Sequence, residues 1–399
     1  MKASYFLTAF AIATLVATPI CAQDSYKIGY LVDASGPAQS IFSPTLEGFN
    51  LYINKVNSEG GVNGRKIEVM VRDVQVDPQR SASAAQDLVS SGAIAIVGLS
   101  LTSTHMAVYA ALNRSDVPVV AGYPANVGVV LPPTPRSRAY GVGLAFELTG
   151  EVGGLLARKV NPNGKSFACI VFESPGGIVG CDASIAGAKA VGFTAGERIT
   201  FPLAQRDFRA IAKKLTQMKP DVVLLVIGRD RTLSVLPALS EAGFQGAVLS
   251  MEAGTGDDIL RTAAKASPGF EVFSYSRYAG TGQGKGAQLD ALTAAVKKAG
   301  GKEVLAFHSG GWVLGIVMVD ALKRCGAECT PSKLDEALAK TNIAAEGLTG
   351  APIRFSPTDH YGPSAYHLFR YDRAKDQVVA VGDWLQTDST PKYYKPAGK

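Results

Sequence analysis

The residues best placed to do chemistry lie in the run Gly98-Leu99-Ser100-Leu101-Thr102-Ser103-Thr104, which carries four hydroxyls. It follows Ile94–Val97, an apolar β-branched stretch that reads as a buried strand, and it opens a helical pattern. In open parallel sheets ligands bind outside the carboxyl ends of strands. Free backbone N–H groups and the positive end of the helix dipole favour an anion there. Ser100, Thr102 and Ser103 are the candidate contacts. Such hydroxyls also cap helices, so the expectation is that at least one of them touches ligand.

Catalytic patterns fail on inspection. Phe307-His308-Ser309-Gly310-Gly311 places a phenylalanine at the first glycine of a G-x-S-x-G elbow. The run Gly280-Thr281-Gly282-Gln283-Gly284-Lys285-Gly286 lacks P-loop spacing and a Ser or Thr after the lysine, so it reads as a loop. The cysteines lack CxxC spacing and the four histidines form no HxxxH pair, so neither a metal nor another cofactor is expected. The protein reads as a non-enzyme.

Met1–Ala22, with Lys2, an apolar run over Tyr5–Ala17, Pro19 and Ala22, reads as a secretory signal peptide cut after Ala22. A lipid anchor on Cys21 is disfavoured by Ile20 before it. Export to an oxidising compartment favours pairing of the four remaining cysteines. Cys169 with Cys181, and Cys325 with Cys329, are the expected bonds, although spacing alone leaves other pairings open. With 47% hydrophobic and 19% charged residues the chain is globular. The net charge of +6 is scattered, which gives no nucleic-acid footprint. Val304–Val319 is apolar but short, interrupted by His308, Ser309 and glycines, and runs into Asp320 and Lys323; a buried helix is expected rather than a membrane span.

The elements that must position these residues alternate. A strand (Lys27–Val32), a Ser35-Gly36-Pro37 turn, a helix (about Pro44–Ser58), a glycine-rich reversal, a strand (Lys66–Asp73) and a helix opening at Asp77-Pro78 lead to Ile94–Val97. Further strands are expected at Val117–Ala121, Phe167–Phe172, Asp221–Ile227 and Ala247–Ser250. Helices are expected at Leu148–Lys159, Ile185–Val191, Phe208–Met218 and Leu233–Ala242. Three short strands, Ile353–Phe355, Tyr366–Tyr371 and Val378–Trp384, close the chain.

In order and wording these pieces resemble a periplasmic solute-binding protein of the branched-chain amino acid (Leu/Ile/Val-type) class, which feeds an ABC importer. The Gly347-Leu348-Thr349-Gly350, Arg354-Phe355-Ser356-Pro357 and His360-Tyr361-Gly362 run is similar to that family's closing stretch. The resemblance implies an α/β fold: two doubly wound parallel-sheet lobes joined by three hinge crossovers, a Venus flytrap of the type I periplasmic binding class. Crossovers are expected near Tyr140–Leu144, Ser274–Tyr278 and Phe355–Gly362. The N-terminal lobe would comprise 23–143 and 277–356, and the C-terminal lobe 144–276 and 357–399.

The resemblance also implies a function: a monomeric periplasmic receptor capturing a small carboxylate-bearing solute and delivering it to a membrane permease and its ATPase. A periplasmic sensor of an amide, amino acid or aromatic acid is the alternative. The equivalent of the hydroxyl loop holds the ligand's carboxylate in the family. The loop holding Tyr123, Ala125 and Asn126 departs from the family's usual Gly-Ala-Thr setting, and Phe42 stands near its aromatic shelf. Val179 and Arg229 stand where the family commonly has aromatics. Arg229 could clamp an anion. Glu252 aligns with the acidic residue that pairs with a ligand ammonium, unless Arg229 or Arg231 neutralises it.

Overall fold

A computed structural model describes residues 25–36, 38–122, 127–130, 135–251, 260–262, 269–280, 284–362 and 365–395. The first half alternates as the sequence requires: β1 (Tyr26–Val32), α1 (Gln39–Ser58), β2 (Ile67–Asp73), α2 (Pro78–Ser90), β3 (Ala95–Gly98), α3 (Thr102–Ala111), β4 (Val119–Ala121), a single turn α4 (Val127–Val130) and β5 (Ala139–Gly141). The strands form one parallel sheet in the order β2-β1-β3-β4-β5. Strand β1, an interior strand between β2 and β3, is buried along nearly its whole length, as a strand covered on both faces must be.

The chain then builds a second layered unit: α5 (Phe146–Val160), β6 (Ser166–Phe172), α6 (Pro175–Ala190), β7 (Ala195–Phe201), α7 (Arg209–Met218), β8 (Val222–Val226), α8 (Arg229–Glu241), β9 (Ala247–Ser250) and β10 (Val272–Ser276). Next come α9 (Ala287–Lys298), α10 (Ala306–Cys325) and α11 (Pro331–Leu338), which lie with the first unit; α10 packs along α1. A small ladder, β11 (Asn342–Ile343) and β12 (Ile353–Arg354), precedes β13 (Ala365–Asp372) and β14 (Gln377–Gln386), which return to the second sheet. That sheet runs β14-β13-β10-β9-β8-β6-β7, its pairings parallel except that β13 runs antiparallel to both β10 and β14. The architecture is therefore two α/β lobes with three chain crossings between them. Among the described residues no helix is long and apolar enough to cross a membrane.

Most predicted elements fall within two residues of their observed ends, and three helices start earlier. Helix α1 begins at Gln39 and carries Pro44 inside it. Helix α8 begins at Arg229 rather than Leu233. Helix α6 begins at Pro175 rather than Ile185, so the Gly176–Gly180 stretch belongs to the helix. Ser174 caps it by accepting from the Gly177 N–H at 3.1 Å, and Pro175 occupies the first turn, where its missing N–H costs nothing. Glycines lower helix propensity, so the apolar period alone marks only the later turns of this helix. Here they serve close packing: a Cβ on Gly150 or Gly154 of α5 would strike the carbonyl of Gly180 or Ser184 of α6. Strand β7 was missed because it is an edge strand, largely exposed, without a continuous apolar run.

Both expected disulfides are present. Cys169 of β6 bonds Cys181 of α6, and Cys325 at the end of α10 bonds Cys329. The first joins two fully buried positions separated by 12 residues; the second closes a loop of separation 4. Loop-closure entropy gives about 3 kcal/mol for a loop near the first size and less for the second. Urea unfolding of a Cys169→Ala/Cys181→Ala variant is therefore expected to show a loss of about 3 kcal/mol. A loss below 1 kcal/mol would contradict that reading. The tail is strapped down separately: the buried Glu151 carboxylate on α5 accepts from the backbone N–H groups of Lys392, Tyr393 and Tyr394 at 2.7, 2.8 and 2.7 Å.

Candidate functional site

The carboxyl edges of the two sheets meet at helix N-termini. On the first lobe, Gly98 and Leu99 both adopt left-handed backbone, with φ 86° and 73°. A leucine in that region is strained, and it turns the chain sharply off β3 into α3. Backbone bonds hold the turn to its neighbours: Leu99 N–H donates to Leu31 O and Gly122 N–H to Gly98 O, each at 2.8 Å. Helix α3 then opens at Thr102 with Leu101 as its N-cap, a residue with no side chain able to cap.

The three hydroxyl candidates separate. Ser100 is fully buried and donates to Oδ2 of Asp33, the residue following β1. Thr102 is half-buried at the first position of α3, and Ser103 is exposed. Thr104 turns back into its own helix, its hydroxyl donating to Leu101 O at 2.7 Å. Phe42 lies in the hydrophobic core at 1% exposure. Tyr123, Ala125, Asn126 and Glu252 lie outside the described residues.

On the second lobe, α6 offers its first turn to the same place. A Cβ built on Gly176 would come within 2.6 Å of Thr102 Oγ1 and 2.7 Å of the Phe146 ring. Thr102 belongs to one lobe and Gly176 to the other, so this is where the two walls touch. Val179, one turn further along α6, is half-buried. Arg229 is the first residue of α8, whose N-cap Gly228 has no side chain to cap it. Two residues on, Arg231 is buried, donates from Nη2 to Leu203 O, and has no partner at Nε among the described residues. Burial and the nearby Arg206 lower its pKa. What this edge presents to an anion is the N-terminus of α3, whose N-cap Leu101 leaves the first N–H groups without a side-chain acceptor. Among the described residues no group of three or more His, Cys, Asp or Glu is placed to hold a metal ion.

The crossovers pack around one buried cation that sequence reasoning passed over. Arg277, fully buried just after β10, donates from Nη1 to the Gly143 carbonyl and, at 2.7 Å, to the Tyr361 hydroxyl. Its guanidinium lies 5.3 Å from the Tyr278 ring centroid and 6.0 Å from that of Tyr366. Tyr278 donates to Val142 O, and Gly141 pairs with His360 and Gly362 through bonds of 2.9 Å. Residues 141–143, 277–278 and 360–362 thus form one knot. A single charged residue after an apolar strand was the available signal.

Residues 25–377 match the family described as Periplasmic binding protein. The chain belongs to that family. Among its relatives, Leu/Ile/Val-binding protein homolog 6 of Brucella suis biovar 1 (strain 1330) is 28% identical over 251 residues, covering 61% of this chain and 62% of the relative. Homolog 3 of Brucella melitensis biotype 1 is 25% identical over 251 residues, with 62% and 66% covered. The alignments thus span about six-tenths of the length of these curated relatives.

Two solved structures illustrate the shared periplasmic binding fold. A branched-chain amino acid ABC transporter protein from Thermus thermophilus with bound valine superposes with a TM-score of 0.80 at 15% identity, covering 92% of this chain and 97% of its own. A solute-binding protein of an ABC transporter from R. palustris, in complex with benzoate, gives 0.78 at 16% identity, with 93% and 100% covered. At these identities the likeness is one of fold.

Proposed function

We propose that this periplasmic binding protein is the extracytoplasmic substrate-binding receptor of an ABC importer, and that it traps a small carboxylate-bearing solute between its lobes. The observation that carries the reading is the meeting of Thr102 and Gly176, at the N-termini of α3 and α6, across the cleft. The N-terminus of α3, which has no capping side chain, favours a carboxylate there. The segments 23–143 with 277–356, and 144–276 with 357–399, would then move as two bodies about the Arg277 knot. A ligand touching both stabilises the closed form through its differential contacts.

Thr102 and Ser103 are assigned to the carboxylate. Arg229, Val179, Tyr123, Ala125, Asn126 and Glu252 line the rest of the site in this reading, with Glu252 taking an ammonium group if the solute is an amino acid. Phe42 supports the site from the core, and Ser100 supports it through Asp33. The relatives' names and the valine and benzoate complexes of similar folds favour an amino acid or aromatic acid. Residues 1–22 act as the export signal, the mature chain works in the periplasm as a monomer, and it carries out no turnover.

A thermal-shift panel tests this on protein refolded free of carried-over ligand, using L-valine, L-leucine, other amino acids, benzoate, 4-hydroxybenzoate and the neutral solutes acetamide and urea. A compound at a hundred times its Kd is expected to stabilise by about 2.7 kcal/mol. A shift with amino acids and not benzoates supports the ammonium role of Glu252, and the reverse pattern removes it. No shift with any carboxylate, against a shift with a neutral solute, would overturn the anion site.

A further inference from the structure

The carboxyl edge of the first lobe contains a buried acid that no ligand role uses. Asp33 follows β1 directly and is fully buried. Its Oδ2 accepts from Ser100 Oγ, and its Oδ1 accepts from the Val76 backbone N–H at 2.6 Å. The three residues come from the loops after β1, β2 and β3, so one carboxylate ties together the ends of three neighbouring strands.

Two of those loops are strained at the tied point. Gln75 and Val76 have φ of 53° and 62°, and Gly98 and Leu99 have 86° and 73°. Left-handed backbone in a β-branched residue is a true outlier and persists only where the surroundings over-determine it. The loops on either side of Asp33 thus carry unfavourable backbone next to the proposed site, each anchored to one of its oxygens. A second acid extends the mesh: Asp73 accepts from Ala34 N–H at 3.0 Å and from the Ser35 hydroxyl. Burial raises the Asp33 pKa, with the nearby Asp73 charge adding to it, against the opposing bonds from Ser100 and Val76.

We propose that Asp33 is the positioning residue of the anion site: by drawing the Ser100 hydroxyl inward it sets the left-handed turn at Gly98–Leu99, which aims the first N–H groups of α3 and the Thr102 hydroxyl into the cleft. The inference rests on the receptor reading for its purpose, and on the hydrogen bonds alone for its mechanics. Ser100 is a strut in this arrangement and does not touch solute. Asn at position 33 can accept from Val76 and donate to Ser100, so it preserves the tie; Ala cannot.

The test uses the full mature chain and has two arms. In the first, amide hydrogen exchange is followed without added solute. Asp33→Ala and Ser100→Ala are each expected to speed exchange at residues 99–104 by about tenfold, the factor for 1.4 kcal/mol, whereas Asp33→Asn leaves it near wild type. The double variant Asp33→Ala/Ser100→Ala should be no faster than Asp33→Ala alone, since both substitutions remove the same Ser100–Asp33 link. Unchanged exchange in the alanine variants, or additive effects, would overturn the tie.

In the second arm, L-valine and benzoate are titrated calorimetrically. Whichever binds wild type should lose about tenfold in affinity in both alanine variants and little in Asp33→Asn. Asn57→Ala, which removes the acceptor of the Ile67 N–H at the amino end of β2, serves as a control for general loosening of the lobe. Faster loop exchange with unchanged affinity overturns the positioning role while leaving the receptor reading intact. If neither compound binds wild type, the receptor reading loses these ligand classes and the exchange arm still decides whether Asp33 sets the turn.

Discussion

Gly176→Val is expected to weaken binding of the solute identified by thermal shift about 100-fold, with the protein still folded and the lobes held apart. The position has no spare room. A Cβ there already lies 2.6 Å from Thr102 Oγ1 and 2.7 and 2.9 Å from two atoms of the Phe146 ring. Such overpacking costs about 1–3 kcal/mol, and each 1.4 kcal/mol is a factor of ten in affinity. The two clashes differ in kind. Phe146 belongs to α5, in the same lobe as Gly176, so that contact affects stability in the open and closed forms alike. Thr102 belongs to the other lobe, so that contact is relieved only by opening.

The distinction supplies a control. Gly176→Ala should lose about tenfold in affinity, and Thr102→Ser in the same background should not recover it, because the hydroxyl oxygen remains. Thr102→Ala removes that oxygen and also a proposed ligand contact, so the discriminating readout is shape and not affinity. Small-angle scattering with saturating solute should show Gly176→Val at the extended dimensions of the open form, and Gly176→Ala/Thr102→Ala returned to the compact ones. Compact Gly176→Val with undiminished affinity would mean that the lobes do not meet at this point when the protein binds.

The sequence carried the layered architecture because both periods were clear. Buried strands such as Phe167–Phe172 and Asp221–Ile227 are continuous apolar runs, and Asp77-Pro78 is an unambiguous helix start, realised with the Asp77 carboxylate accepting from Gln79 and Arg80 N–H at 2.8 and 3.0 Å. The disulfides were legible for a similar reason, since each pair spans one local turn. The site was legible as a place and not as a set of roles. Ser100 and Thr102 are two residues apart and chemically alike, yet one faces inward and the other the cleft. The cause is Asp33, 67 positions away in sequence. Gly176 lay outside the expected helix Ile185–Val191, whereas the observed helix includes it and needs a glycine there for a neighbour in the other lobe. Single-residue patterns report local preference; these roles are set by approach between segments.

The hinge follows the same rule and yields the second large effect. Arg277→Met is expected to lower stability by about 3 kcal/mol and to raise the apparent Kd of the bound solute. Methionine fills much of the same volume but donates nothing, so the Gly143 carbonyl and the Tyr361 hydroxyl lose charge-assisted bonds in a buried setting. Because Gly143 sits on the first crossover and Tyr361 on the third, with Arg277 on the second, the loss loosens all three connections together. A ligand that binds the closed form then works against a smaller closed population, and its apparent affinity falls by that fraction. Arg277→Lys should recover little, since an ammonium cannot reproduce the planar fork that spans the two acceptors. If Arg277→Met lost stability yet bound solute as wild type, the knot would be a brace for folding alone, and lobe motion would be governed by contacts such as Thr102 with Gly176.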